Sequence, residues 1–221
     1  MINYTTSEEN YIKSIYHLQQ NTGIVSTNSL AAEMQTRAAS VTDMLKKLKS
    51  KKILHYEKYK GFKLNGTGNK IAIRVVRKHR LWEFFLAEKL GFEWEKVHAI
   101  AEELEHVSSD ELIQRLERFL GNPAFDPHGD PIPDSNGKIP TLNQLGLPAL
   151  PLLQHAKVSS VTNQTGQMLE MLNHYGIAIG TALKVIKRFE FDGSLKIKIE
   201  KHPACIISEQ VAKNVFVHYV Q

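Results

Sequence analysis

The chain has 221 residues, 42% hydrophobic and 23% charged, which is enough apolar material for a buried core and argues against a disordered chain. No run of about 18 apolar residues occurs, so no transmembrane helix is expected, and the opening MINYTTSEEN lacks the basic-then-apolar order of a secretory signal. A single cysteine, Cys205, excludes an internal disulfide and makes the cytoplasm the expected compartment.

The net charge of +5 conceals an asymmetry: residues 1–80 hold fifteen Lys/Arg against five Asp/Glu, residues 81–140 hold five against thirteen, and residues 141–221 hold eight against five. A basic segment followed by an acidic one suggests a surface for a polyanion beside a site for a cation. Two solvated faces of opposite sign are the simpler alternative.

In chain order, residues 7–20 read as a helix: Tyr11, Ile12, Ile15, Tyr16 and Leu18 recur at helical spacing. Thr6 or Ser7 with Glu8 and Glu9 suits its start, and Gly23 ends it. A short helix follows Ser26-Thr27-Asn28, and after a tight turn a third carries Ser40, Val41, Met44, Leu45 and Leu48. Two short helices joined this way form a helix-turn-helix, the second being the recognition helix. Residues 53–57 and 62–64 read as two strands with a Tyr59-Lys60-Gly61 turn, a basic wing closed by Gly66-Thr67-Gly68. A long helix then runs to about Leu90, and further helices are expected over 94–106 and 108–120. The Pro-, Gly- and Asp-rich stretch 121–140 marks a boundary. Beyond it the period changes to strands at 155–162, 181–189, 195–200 and 203–207, with a short helix near 168–176 ending at Gly176 and a hairpin turn at Asp192-Gly193. This tail reads as a small β-barrel.

The helix at 94–106 carries the chemistry. His98, Glu102, Glu105 and His106 stand at i, i+4, i+7 and i+8, on one face at 3.6 residues per turn. Two imidazoles and two carboxylates on one stripe are costly to bury without a cation. One helix earlier, His79 and Glu83 stand at i and i+4, a spacing that lets both reach one ion. Either group alone reads best as a polar surface stripe; together they favour metal. Carboxylate and imidazole ligands without thiolate suit manganese or iron(II). No HExxH, GxSxG or P-loop motif is present.

The stretches EENYIKSIYHL, SVTDMLKKL, VRKHRLWEFFL and above all KVHAIAEELEHVSSDEL resemble the diphtheria-toxin-repressor/manganese-transport-regulator family, as does the loop DPHGDPIP. The tail is similar to the SH3-like domain, akin to ferrous-iron-transport protein A, of that family's longer members. The resemblance implies a mainly α fold with β: a winged helix-turn-helix over 1–73, a helical metal-binding and dimerisation domain over 74–140, and an SH3-like barrel over 150–221. It implies a metal-dependent (Mn2+ or Fe2+) repressor, not an enzyme, that binds double-stranded operator DNA as a homodimer, without a membrane partner, to control metal homeostasis genes.

Carried over residue by residue, the resemblance implies a primary metal site of Asn10, Glu102, Glu105 and His106. It implies an ancillary site of His79, Glu83 and His98, with Asp126, Asn163, Gln164 and Gln167 as candidates to complete it. Glu102 stands where iron-responsive members have Cys, which favours manganese. Asn10 stands where Met or Asp is usual and brings no charge. Arg37, Ala38, Ala39, Ser40, Thr42 and Asp43 open the recognition helix; Arg37 suits guanine or a phosphate. Lys46, Lys47, Lys49, Lys51 and Lys52, with wing residues Lys58, Lys60 and Lys63, suit phosphates. Dimerisation is expected around Leu81, Trp82, Phe85, Leu86 and Trp94, some of which must instead be internal core. His17, His55, His155, His174, His202 and His218 read as ordinary surface or core residues, and Cys205 as a buried small one. A metal-independent winged-helix regulator and a metallohydrolase are the rival readings.

Overall fold

The computed structural model describes residues 4–57, 60–107, 109–141, 143–200 and 202–219, with the side chain at 107 left aside. The first helix, α1 (Thr6–Thr22), starts where Thr5 turns extended and forms a capping box. Its hydroxyl accepts from the Glu8 amide (3.3 Å), and the Glu8 carboxylate accepts from the Thr5 amide (2.9 Å). The cap therefore lies one residue earlier than the pattern suggested. α2 (Thr27–Glu33), capped by Ser26, and α3 (Ala38–Ser50) follow, with Gln35 between them in a left-handed conformation (φ 48°). Ile12 and Ile15 of α1, Leu30 of α2, and Val41 and Leu48 of α3 are wholly buried together. Each contributes on the order of 1.5–3 kcal/mol of burial free energy.

The wing consists of β1 (Leu54–Glu57) and β2 (Gly61–Leu64), antiparallel with Leu54 opposite Leu64. It is pinned to the chain before α2: the Val25 amide donates to the Phe62 carbonyl (2.8 Å) and the Phe62 amide to the Val25 carbonyl (3.0 Å). Gly61 must be glycine here, because its φ is +137° and a Cβ would stand 2.3 Å from the Val25 carbonyl oxygen. Lys58 lies outside the described residues.

The long helix α4 (Gly66–Leu90) is capped by Asn65, whose side chain accepts from the Thr67 and Gly68 amides at 3.0 Å. Ala72 and Val76 join the winged-helix core, whereas Leu81 and Leu86 face α6 (Asp110–Phe119) and α5 (Trp94–Val107). The helix is thus a continuous rod through the boundary expected at 73.

Leu81 is wholly buried and Leu86 nearly so. Trp94 packs against the barrel core and stacks on His128. These three are the members of the expected dimer set that the chain's own core takes up, Trp94 only in part. Trp82 and Phe85 stay half-buried, edge to face at 5.7 Å, while Leu112 and Phe119 on α6 are exposed.

The stretch 121–140 is a folded loop. Asp126 Oδ1 accepts from the amides of His128 (2.8 Å) and Asp130 (2.9 Å), and Asp134 repeats the device with the Asn136 and Lys138 amides. The C-terminal barrel comprises β3 (Leu145–Gly146), β4 (Ala156–Val161), α7 (Gly166–His174), β5 (Ala182–Arg188), β6 (Leu195–Ile199), β7 (Cys205–Ile207), α8 (Glu209–Ala212) and β8 (Val215–Tyr219). Its sheet order is β3-β8-β4-β5-β6-β7, with bulges in the β4/β8 and β5/β6 ladders that let the sheet curl. β3, β8 and the four-residue α8 are not evident from the sequence pattern; β8 is an interior strand between β3 and β4, with Val215 and Val217 wholly buried. Cys205 is half-buried, less enclosed than expected. Among the described residues, no helix is long and apolar enough to cross a membrane.

Candidate metal centre

The titratable stripe of α5 meets α1 on one side and α4 on the other, around a cavity of about 620 Å3. The α4 carboxylate Glu83 is 1% exposed and is shared. Its Oε1 lies 2.9 Å from His79 Nε2 and 3.1 Å from His98 Nδ1; its Oε2 lies 3.6 Å from His128 Nδ1. His79 Nδ1 reaches Glu105 Oε2 at 2.7 Å. Among the described residues, atoms that could ligate a metal fall into three overlapping groups, each within 4.8 Å: His79, Glu83 and His98; His79, Glu102 and Glu105; and Glu83, Asp126 and His128.

Burial and charge oppose each other throughout. Burial alone would discharge His79, but Glu83 and Glu105 outweigh it and raise its pKa to about 9. Burial likewise opposes ionisation of Glu83, yet the imidazoles of His79, His128 and His98 hold it well below the carboxylate range. Asp126 is different: burial, then the nearby Glu83 and Asp130 carboxylates, push it up to about 8 against the pull of Arg80. Burial disfavours the charged His128, but Glu83 and Asp126 raise its pKa. In Glu102 the Lys13 ammonium overcomes burial and lowers the pKa.

Whether the residues suit a cation is decided by their unpartnered atoms. Among the described residues, buried side-chain atoms without a hydrogen bond include Asn10 Oδ1, Glu83 Oε2, His106 Nε2, Asp126 Oδ2 and His128 Nδ1. All five border this region, and all can offer a lone pair to a metal. Leaving such atoms buried without a partner costs roughly 1–3 kcal/mol each. The two histidines are oriented for that purpose. His128 Nε2 donates to the Trp94 carbonyl (2.9 Å), leaving Nδ1 as the free atom. His106 Nδ1 faces Glu9 Oε2 at 2.7 Å, leaving Nε2 directed at Glu105 Oε1, 3.2 Å away. An imidazole held through one nitrogen by a carboxylate or carbonyl is how metal-ligating histidines are fixed. The donor set of carboxylates, imidazoles and an amide oxygen fits manganese or iron(II).

Of the expected primary set, Asn10 and Glu102 line the cavity and His106 reaches Glu105, but the ligand-atom group found with Glu102 and Glu105 holds His79 rather than His106; His79, Glu83 and His98 form a group of their own, and Asp126 joins Glu83 and His128. Of the barrel residues, Gln164 lines the cavity and donates to Asp130 Oδ2 (2.9 Å). Asn163 is spent on its own turn, accepting from the Thr165 amide and hydroxyl, and Gln167 is exposed on α7. Three residues of the centre escaped the sequence reading: Glu9, Lys13 and His128. His128 stands two residues after Asp126 in a motif already singled out, but nothing local marks it as buried.

At the other end of the winged domain, Arg37, Ala38, Ala39, Ser40, Thr42 and Asp43 are all exposed along the start of α3. Lys46 and Lys47 are exposed too, although Lys46 pairs with Asp43 (3.0 Å). On the wing, Lys63 pairs with Glu57 (3.0 Å), and Lys60 lies 3.9 Å from it. Lys51 is turned inward to Glu8 (2.7 Å) and over the Tyr4 ring.

A winged helix-turn-helix whose first helix closes a cluster of metal-ligating side chains defines a metal-responsive DNA-binding regulator, and comparison with known proteins agrees. Residues 3–62 match the iron dependent repressor N-terminal DNA binding domain, 65–134 the iron dependent repressor metal binding and dimerisation domain, and 145–219 the FeoA domain. The diphtheria toxin repressor of Corynebacterium glutamicum is 31% identical over 193 residues, covering 80% of this chain and 82% of that protein. The chain belongs to the diphtheria toxin repressor family of iron-dependent repressors. The iron-dependent repressor IdeR of Mycobacterium leprae is 34% identical over 126 residues, but the matched stretch spans only about half of that relative, 54% of its length. A solved manganese-dependent transcriptional repressor in complex with manganese superposes with a TM-score of 0.88 at 31% identity, over 96% of this chain and 100% of that one.

Proposed function

We propose that this chain is a transcriptional repressor dependent on Mn2+ or Fe2+, binding double-stranded operator DNA as a homodimer when loaded and controlling genes of metal homeostasis from the cytoplasm. The observation that carries the reading is the set of buried, unpartnered lone-pair atoms on Asn10, Glu83, His106, Asp126 and His128. A bound divalent cation would give those lone pairs the partner they lack.

Asn10, Glu102, Glu105 and His106 would hold one ion, joining α1 of the DNA-binding domain to α5. His79, Glu83, His98, Asp126 and His128 would hold the other, with Gln164 at its edge. Glu9 orients His106. Control of DNA binding then requires a higher metal affinity in the arrangement that matches the two wings of a dimer to the operator. The exposed start of α3 suits base edges; Lys46, Lys47, Lys60 and Lys63 suit phosphates. The family's dimerisation domain supports the homodimer. Nothing in this scheme calls for turnover: each candidate base is already engaged as a ligand or its partner.

The test is binding of chelated protein to DNA fragments selected from a random pool by the Mn2+-loaded protein, titrated with Mn2+ or anaerobic Fe2+. Metal is expected to tighten binding at least about tenfold, about 1.4 kcal/mol of coupling, and Glu102→Ala and His106→Ala to abolish the response. Equal binding with and without metal would leave a metal-independent regulator.

A further inference from the structure

Lys13 lies one turn beyond Asn10 on α1 and is 8% exposed. Its ammonium is 2.6 Å from Glu102 Oε1 and 2.7 Å from Glu105 Oε1. Glu105 is wholly buried, and its other oxygen is taken by His79 Nδ1 at 2.7 Å. The two carboxylates that the α1–α5 centre would offer a metal are therefore already gripped by a cation of the chain itself.

A lysine ammonium has three donors and no acceptor, so it cannot join a coordination shell; it can only compete for the same oxygens. We propose that Lys13 is the affinity-determining residue of this centre: a tethered cation that occupies Glu102 and Glu105 in the metal-free chain, and that a divalent ion must displace. This rests on the reading that Glu102 and Glu105 hold metal.

Two features make displacement feasible. The four-carbon stem is flexible, and Lys13 borders the cavity of about 620 Å3, which gives the ammonium room to swing away. His106 Nε2 stands 3.2 Å from the gripped Glu105 Oε1, and Asn10 Oδ1 belongs to the same cavity as Lys13 and Glu102; both atoms lack a hydrogen-bond partner and give an arriving ion a first foothold. The ammonium also ties α1 to α5 without metal. The metal-free chain is thus latched by one charge, and metal replaces that latch with a doubly charged one.

The experiment is Mn2+ binding to the full chain at fixed pH, by competition with a chromophoric chelator, in a His128→Ala background that disables the Glu83 centre. Lys13→Met and Lys13→Gln should bind Mn2+ at least tenfold tighter than the parent, while Lys13→Arg, which keeps the charge, should stay near it. Without metal the Met and Gln variants should melt lower than the parent, since Glu105 loses its cation, and Mn2+ should restore them. Folded Met and Gln variants that bind Mn2+ no tighter than the parent would overturn the role of Lys13 and leave the metal reading standing. Absence of Mn2+ uptake by the parent and by every variant would overturn both.

Discussion

At the scale of single residues, metal and protons compete for the same lone pairs. Asp126 holds its proton to about pH 8 against an ordinary value of 3.8, and His79 holds its second proton to about 9 against 6.5. Both folded-state values are raised. The stability each contributes is complete below its unfolded pKa and is lost as pH climbs through the folded one. Glu83 and Glu102 are lowered, so their contribution is complete above the ordinary carboxylate range and does not change at neutral pH. The metal-free chain should therefore melt at progressively lower temperature between pH 6 and 9, and Asp126→Asn should flatten part of that slope. Mn2+ affinity should move the other way, rising over the same window as protons leave the ligands. Melting curves in chelator and in excess Mn2+ across the range decide it; a metal-free melting temperature that is flat or rises with pH would refute the assignment. Residues of this kind were only partly legible in the sequence. His79, Glu83, His98, Glu102 and Glu105 announce themselves by helical spacing, because a regular element turns sequence distance into spatial distance. His128 and Glu9 act through a loop and a neighbouring helix, and no period connects them to the stripe they serve.

At the scale of elements, the longer helices were read to within a few residues, because their caps and apolar faces are local signals, while the four-residue α8 left no such signal. Residues 7–20 became Thr6–Thr22, and 94–106 became Trp94–Val107. Strands were harder: β3 has only two residues, and β8 is interior only because it pairs with both β3 and β4, a non-local fact. The division of aromatic and leucine side chains between core and dimer face was not legible either, since the same 3.6-residue period serves both. The start of α1 shows how local chemistry reaches the wider fold. Glu8 closes the capping box with Thr5 and also accepts from Lys51 at the end of α3 (2.7 Å). Burial opposes its ionisation, yet Lys51 and the Thr5 amide hold its pKa down. Thr5→Ala removes the hydroxyl half of the box and should cost about 1 kcal/mol, as N-cap deletions do. The loss should appear as a lower urea midpoint of the metal-free protein and should shrink on Mn2+ addition if Asn10 and His106 then fasten α1 from its other side. An unchanged midpoint would mean that tertiary packing alone sets the start of the helix.

At the scale of the whole molecule, the barrel and the metal-binding helices meet along a seam that passes through the Glu83 centre. His128 belongs to both. Its carbonyl accepts from the Val161 amide of β4 (3.1 Å), and its ring lies between Trp94, 5.7 Å away and nearly parallel, and Glu83. Trp94 in turn donates to Asn173 of α7 (3.1 Å), which donates to Glu95 (3.0 Å). The next residue along the loop, Gly129, has φ +84°, and a Cβ there would stand 1.9 Å from the Ser159 carbonyl oxygen of β4. Gly129→Ala therefore cannot be relieved by a side-chain rotation; either the loop or the strand must move, and both carry the position of His128 with them. The left-handed backbone alone adds roughly 1–3 kcal/mol of strain for a non-glycine residue. The variant should lose stability, expose the seam to limited proteolysis and weaken Mn2+ binding at the Glu83 centre, while the winged domain keeps its salt-dependent affinity for arbitrary DNA. Gly166→Ala is the matched control: its Cβ would meet nothing within 4 Å, at the open end of α7. If the two variants bind Mn2+ equally well, the barrel is a passenger on the metal centre; if only Gly129→Ala weakens it, the barrel's docking helps to position the ligands.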